Sequence, residues 1–475
     1  MSITSKAGQR IASVLDENSF VEIGAAITAR TTDFNVNAAD TPSDGVVTGY
    51  GVIDGKLVYV YSQDSSVLGG SIGEMHASKI VNLYDMALKV GAPVIGFIDS
   101  TGVRLQESMD ALNAMGEVYT AMSMASGIIP QITAVFGPCG GGLSVISALS
   151  DFTFMESKSG KMYVNSPDAI CGNNESKCDN SAAAFQSAEA GNVDFVGDEA
   201  EIYGQIRELI DILPGNCEST AFDECDDDLN RTCANIAGCV GDTSVAVSLI
   251  ADDSRFVELK ADYAKDMVTG LIKLNGDTVG VVANRSEVLD ENGKAAEKFD
   301  SVLSAKGMEK ASAFVKFCDA FEIPILTLTN VGGFKNCMCS EKRAAREAAV
   351  LTSAFASATV PKVNVIIGKA FGSAGVIMNS KSLGADMTFA WNTAKVGTMD
   401  AKFAAQIICD GKSSDEVADC AAKYEALQNN VESAARRGIV DTIIAPEDTR
   451  KYVIGAFDML FTKAVDIPDK KHAAI

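Results

Sequence analysis

Apolar residues fall along this chain in two repeating rhythms. Short unbroken runs, Pro93–Ile98 and Ile132–Phe136, lack polar alternation and predict buried strands in a sheet covered on at least one face. Between them lie stretches of helical period. The first is Ser78–Val90, with Ile80, Leu83, Tyr84 and Ala87 on one face. The second runs over about 105–127. The strand at 132–136 runs into Gly137-Pro138-Cys139-Gly140-Gly141-Gly142, and Leu143–Leu149 then reads as another helix. Strands alternating with helices predict an α/β chain with its sheets covered by helices.

The pattern occurs twice. KVGAPVIGFIDSTG at 89–102 matches AFEIPILTLTNVGG at 320–333, and IPQITAVFGPCGGG at 129–142 matches VPKVNVIIGKAFGS at 360–373. Pro93 and Pro324, Pro130 and Pro361, Gly137 and Gly368, Gly141 and Gly372, and Lys79 and Lys310 all differ by 231 (324 − 93). No gap is needed from His76 to Ser373, across some 67 aligned positions. Each copy is too long for a solenoid repeat, so the expectation is one duplicated domain. The acidic run Asp223–Asp228 reads as a solvated segment. The division is expected near 216–235, with domains at 1–220 and 236–475.

Composition narrows the chemistry. Lys and Arg number 40 against 63 Asp and Glu, a net charge of −23, which repels nucleic acid and anionic membranes. No apolar run reaches the roughly 18 residues of a membrane span, and the N-terminus lacks a signal-peptide core. The expectation is a cytoplasmic protein, its twelve cysteines reduced and many of them buried. Cys337 and Cys339 form a CxC, but with no nearby histidine or second pair no metal site is expected. Only His76 and His472 are present, which limits histidine-based catalysis. His76 reads as a cap or packing residue rather than an acid–base group.

The glycine turns carry the candidate chemistry. Glycine allows positive φ and close approach to backbone amides, and a helix starting there points free N–H groups into the turn. Such a turn suits an anion, either a phosphate or a developing oxyanion. GPCGGG lacks the lysine of a phosphate-binding P-loop. A structural explanation, that glycines merely permit tight turns, carries comparable weight. Arg104 reads as the partner of Asp99 and Glu107 in a structural ion pair.

Several longer strings resemble the biotin-dependent acyl-CoA carboxyltransferases. They are SDGVVTGYGVIDGKLVYVYSQDSSVLGGSIGEMHASKI, DSTGVRLQE, FGPCGGGLSVISALSDFTFM, GKAFGSAGVIMNSKSLGADMTFAW and AARRGIVDTIIAPEDTRKYV. The likeness spans about 9–462. It is similar to β subunits of propionyl-CoA and acetyl-CoA carboxylases and to carboxyltransferase subunits of biotin-dependent decarboxylases.

The resemblance implies two tandem crotonase-like (ββα superhelix) domains, the first on the CoA side and the second on the biotin side. It implies a homo-oligomer, a trimer or dimer of trimers, with sites shared between protomers. Biotin would arrive on a separate carrier protein, beside biotin carboxylase or membrane decarboxylase subunits, and a short-chain acyl-CoA would be the substrate. Carried over, the amides of Gly141 and Gly142 form one oxyanion hole and those of Gly372 and Ser373 the other, with Gly140, Phe371 and Ala374 lining the cofactor. One hole would hold the thioester enolate and the other the ureido oxygen of biotin, so no side-chain base is needed. Val376 stands where the family has Asp, and Gly368 where Arg is common. The run 290–306 looks like an insertion. Two other readings are a non-catalytic CoA-binding or assembly subunit and a biotin-independent crotonase-type enzyme, with Glu107 as a candidate base for the latter.

Overall fold

Hairpins open each copy, and their turns explain why. Asp54-Gly55 and Asn275-Gly276 each supply two consecutive positive φ angles, 47° and 80°, then 54° and 83°, as a two-residue turn between twisted strands requires. The computed structural model describes residues 4–31, 36, 40–219, 222–290 and 292–465; His472 lies outside them. The chain forms two compact units, Met1–Ala221 and Phe222–Ile475.

In the first unit the strands are β1 (Val21–Ile23), β2 (Val46–Ile53), β3 (Lys56–Gln63), β4 (Val94–Ser100), β5 (Gln131–Gly140), β6 (Phe152–Glu156), β7 (Lys161–Tyr163) and β8 (Phe195–Gly197). They form one sheet in the order β1-β2-β3-β4-β5-β6-β8, with β7 also on β5. The β1·β2 and β2·β3 pairs are antiparallel, and β3 through β8 pair in parallel.

The second unit repeats this plan. Its strands are β9 (Phe256–Leu259), β10 (Met267–Leu274), β11 (Asp277–Asn284), β12 (Glu287–Leu289), β13 (Ala295–Lys298), β14 (Ile325–Val331), β15 (Lys362–Phe371), β16 (Met387–Trp391), β17 (Lys395–Gly397) and β18 (Thr442–Ile444). The order is β18-β16-β15-β14-β11-β10-β9, with β17 on β15. The strands β4 and β14, and β5 and β15, start and end 231 residues apart (325 − 94; 371 − 140). The stretch expected to be an insertion, 290–306, holds β13, which pairs with β12 just before it in a separate two-stranded sheet.

Helices Glu74–Val90 and Met109–Ala125 cover the first sheet, and Ala305–Ala320 and Met338–Ser357 hold the matching places in the second unit. In the first unit the apolar faces of these helices join fully buried strand residues such as Ile98 and Val135; in the second, Leu328 and Val365 share a core with helices Thr243–Ile250 and Thr449–Leu460. A lysine is buried in each copy. Lys79 donates to the carbonyls of Ser43 and Val46, and Lys310 to those of Lys260, Tyr263 and Met267 at 2.7–3.0 Å. An ammonium fits three acceptors, while burial opposes its charge, drawing Lys310 to about 7 and Lys79 to about 8.

The acidic run is exposed to solvent at Asp223, Glu224, Asp226 and Asp228, as expected, and is also tied down: Asp227 binds Arg231 at 2.9 Å and the fully buried Arg450 at 3.4 Å, and Asp223 pairs with Lys273. A buried guanidinium needs such carboxylates nearby. Of the twelve free cysteines only Cys139, Cys233, Cys318 and Cys409 are buried.

Candidate active site

Each copy presents a glycine turn where its longest parallel strand ends. β5 runs through Gly140 and helix Gly142–Leu149 begins beyond Gly141; β15 ends at Phe371 and helix Gly372–Ile377 follows. Gly141 has φ +59° and Gly372 φ +61°. That conformation disfavours any residue with a side chain, so both positions require glycine for the backbone alone. No atom lies within 4 Å of where a Cβ on Gly141 would project, so this turn opens onto space.

The amides differ in what they can offer. Gly141 N–H already donates to Tyr163 O at 2.8 Å, so it shapes the turn and its proton is engaged. Gly142 opens the helix, where N–H groups have no intrahelical acceptor. Its carbonyl accepts from Tyr119 Oη at 2.7 Å, and Ser144 Oγ donates to Gly141 O at 2.7 Å. In the second turn Ser373 is exposed in the first helical turn, while Phe371 and Ala374 are 3% and 1% exposed. Gly140 packs against the Tyr163 ring, which a Cβ would approach to 2.7 Å. Val376 is exposed on the same short helix, and Lys369 is exposed just before the turn.

Beside the first turn is a cavity of about 480 Å³ lined by Ser144, Val145, Met162, Tyr163, Asn165 and Phe185, among others. The sequence reading missed it. Little in the sequence marks it: the strand that delivers Tyr163 next to Gly140, β7, is three residues long and begins with a lysine.

A second pair of glycines has a packing role. A Cβ on Gly137 would fall 2.2 Å from Asp99 Oδ1, and one on Gly368 2.5 Å from Asn330 Oδ1. The N–H of Asp99 donates to Gln63 Oε1 and that of Asn330 to Asn284 Oδ1, so the interlock is repeated. This is why an arginine does not fit at 368.

The side-chain candidates are engaged elsewhere. His76 is fully buried, with Nδ1 2.9 Å from Asp44 O and Nε2 3.2 Å from the Gln63 amide. Burial lowers it to about 3, which keeps it neutral. Arg104 pairs with Asp44 (2.6 Å) and Glu107 (2.8 Å), all three side chains sealed from solvent. The expected partner Asp99 binds Arg10 instead, at 2.9 Å. Glu107 also accepts from Glu74 N–H at 2.6 Å, and a carboxylate so committed is a poor base. The arrangement therefore offers backbone donors and a cavity rather than a side-chain nucleophile.

Comparison with known proteins identifies the family. The carboxyl transferase domain profile matches residues 5–475. The propionyl-CoA carboxylase beta chain of Roseobacter denitrificans is 40% identical over 98% of this chain and 92% of its own length. The methylmalonyl-CoA decarboxylase subunit alpha of Propionigenium modestum is 37% identical over 99% and 92%. The crystal structure of transcarboxylase 12S, described as a hexamer with hydrolysed methylmalonyl-coenzyme A bound, superposes with a TM-score of 0.90 at 35% identity, covering 98% of this chain and 91% of that one. The fold is accordingly two tandem crotonase-like domains, and the chain belongs to the carboxyl transferase domain family.

Proposed function

We propose that this protein transfers a carboxyl group between carboxybiotin on a separate carrier protein and a short-chain acyl-CoA, through a thioester enolate. The observation that carries this reading is the matched pair of glycine turns, with φ of +59° and +61° at Gly141 and Gly372. When bound, biotin supplies the carboxyl group and the base for the substrate α-proton. The chain's part is to hold negative charge. Preorganised amides aimed at a developing oxyanion lower its energy without reorganising during the reaction. Gly142 and Ser373 offer such amides at helix starts, while Gly141 and Gly372 supply the bend that aims them. Gly140, Phe371 and Ala374 contribute main chain around the ligand.

The acyl-CoA is assigned to the first domain, 1–220, beside its 480 Å³ cavity, and biotin to the second, 236–475. The relatives that share over 90% of their length with this chain act on propionyl-CoA or methylmalonyl-CoA by name, which supports a short acyl group. The hexamer described for transcarboxylase 12S supports a homohexamer of this chain. Partners would be a biotin carrier protein with a biotin carboxylase or decarboxylase subunit. No helix among the described residues is long and apolar enough to cross a membrane.

The test is decarboxylation of methylmalonyl-CoA or malonyl-CoA by the purified chain with free biotin, followed by chromatography of the CoA thioesters. Turnover that depends on biotin is expected. Absence of biotin-dependent turnover with every short acyl-CoA, despite CoA binding by calorimetry, would convert the reading to a non-catalytic CoA-binding subunit.

A further inference from the structure

The CxC motif remains outside the carboxyl-transfer reading. Cys337 and Cys339 flank Met338 where the loop after β14 enters helix Met338–Ser357. Their sulfurs lie 2.7 Å apart, well inside van der Waals contact. Cys337 is half-buried and Cys339 exposed, so a small reagent reaches the pair from solvent. Cys337 is the N-cap of a 20-residue helix, and its Sγ accepts from Ser340 N–H at 3.4 Å. A helix N-terminus favours thiolate over thiol. The hydrogen bond from Cys339, then that from Ser340 N–H, with Lys335 nearby, hold the Cys337 thiol below its usual range.

Another pair shows what is particular here. The Cys409 side chain beside Cys420 raises the Cys420 thiol instead, which disfavours attack. Among the described residues no group of three or more His, Cys, Asp or Glu is placed to hold a metal ion. Two thiols in contact, with no further ligand, suit a disulfide better than a tetrahedral metal.

We propose that Cys337 and Cys339 form a reversible dithiol–disulfide pair, a modification site that takes a small-molecule disulfide as its oxidant. Cys337 thiolate attacks one sulfur of the oxidant, forming a mixed disulfide and releasing one thiolate. Cys339 loses its proton to solvent and attacks Cys337 Sγ, releasing the second thiolate. Two protein thiols are oxidised, and one external disulfide is reduced to two thiols. The loop that leads to the pair starts beside the second glycine turn. β14 ends at Val331, which pairs with Ala370, and a Cβ on Gly332 would sit 3.9 Å from the Lys369 side chain. The inference is independent of the carboxyl-transfer reading.

The test uses the full chain, equilibrated in buffers of graded glutathione to glutathione-disulfide ratio, acid-quenched, alkylated and digested with trypsin. Lys335 and Lys342 bound a peptide, 336–342, that contains Cys337 and Cys339 and no other cysteine. Its doubly alkylated form should give way to a form lighter than the dithiol by two hydrogens, and dithiothreitol should reverse this. Cys337→Ser, which keeps a capping oxygen, should leave Cys339 to form only a mixed disulfide, about tenfold more slowly than the wild-type pair reacts. A peptide that stays doubly alkylated at every ratio, or accumulates glutathione adducts in the wild type, overturns the proposal.

Discussion

The loops that leave β4 and β14 stand at matching places in the two copies and are held by opposite means. In the first, Arg104 reaches Asp44, Glu107 and the Ser71 carbonyl, all sealed from water. In the second, the matching positions (104 + 231 and 107 + 231) hold Lys335 and Met338, both exposed. The first loop is rigidified by a buried charge network. The second keeps its backbone bonds, Gly332 N–H to Ser301 O and Lys335 N–H to Leu303 O, and carries a dithiol. Duplication thus preserved the strands and turns while freeing one loop to diverge.

The harshest way to break this contrast is Arg104→Met. It strands two buried carboxylates and should cost about 3–5 kcal/mol, read from denaturant unfolding. Next comes the second turn. Ser373→Pro deletes one amide proton in a helical first turn, where proline is tolerated. It should lower kcat about 10²–10³-fold if that amide faces an oxyanion, whereas Ser373→Ala keeps the amide and should stay near wild type. Equal activity of the two variants would remove Ser373 from the hole.

The buried lysines sharpen the comparison through pH. Between the folded values, about 7 for Lys310 and about 8 for Lys79, and the ordinary 10.5, the unfolded chain binds more protons. Stability contributed by these groups therefore rises with pH across those windows. Replacing each by Met should open a stability gap from wild type that widens as pH rises, starting lower for Lys310→Met. Smallest of all, Lys335→Met at the place of Arg104 should change stability by less than about 0.5 kcal/mol. A large loss there would show that the second loop is also held by charge.

Much of this was legible in the residues. The offset of 231 predicted paired strands, and β4 with β14 and β5 with β15 keep it to the residue. β5 runs past its expected end at Phe136, because parallel pairing with β7 continues through Gly140 into the glycine turn. The antiparallel hairpins β2–β3 and β10–β11 lie outside the sequence reading although Asp54-Gly55 and Asn275-Gly276 mark them; their first strands, β2 and β10, show neither clean alternation nor an unbroken apolar run. Lys79 and Lys310 were aligned without a role, because carbonyl acceptors leave no mark in a sequence. For Arg104 the expected partner Glu107 holds, but Asp99 does not: the second carboxylate is Asp44, 60 residues away. The engagement of Gly141 N–H depends on a strand brought in from residue 163 and could not be foreseen.

The interlock of Gly137 with Asp99, and of Gly368 with Asn330, bears on how variation in this protein should be interpreted. Randomising both glycines under selection for a folded chain should return glycine at each, with catalysis never assayed. Intolerance at those two codons would then record a steric keyhole, so an invariant glycine near the active turns is not by itself a mark of chemistry.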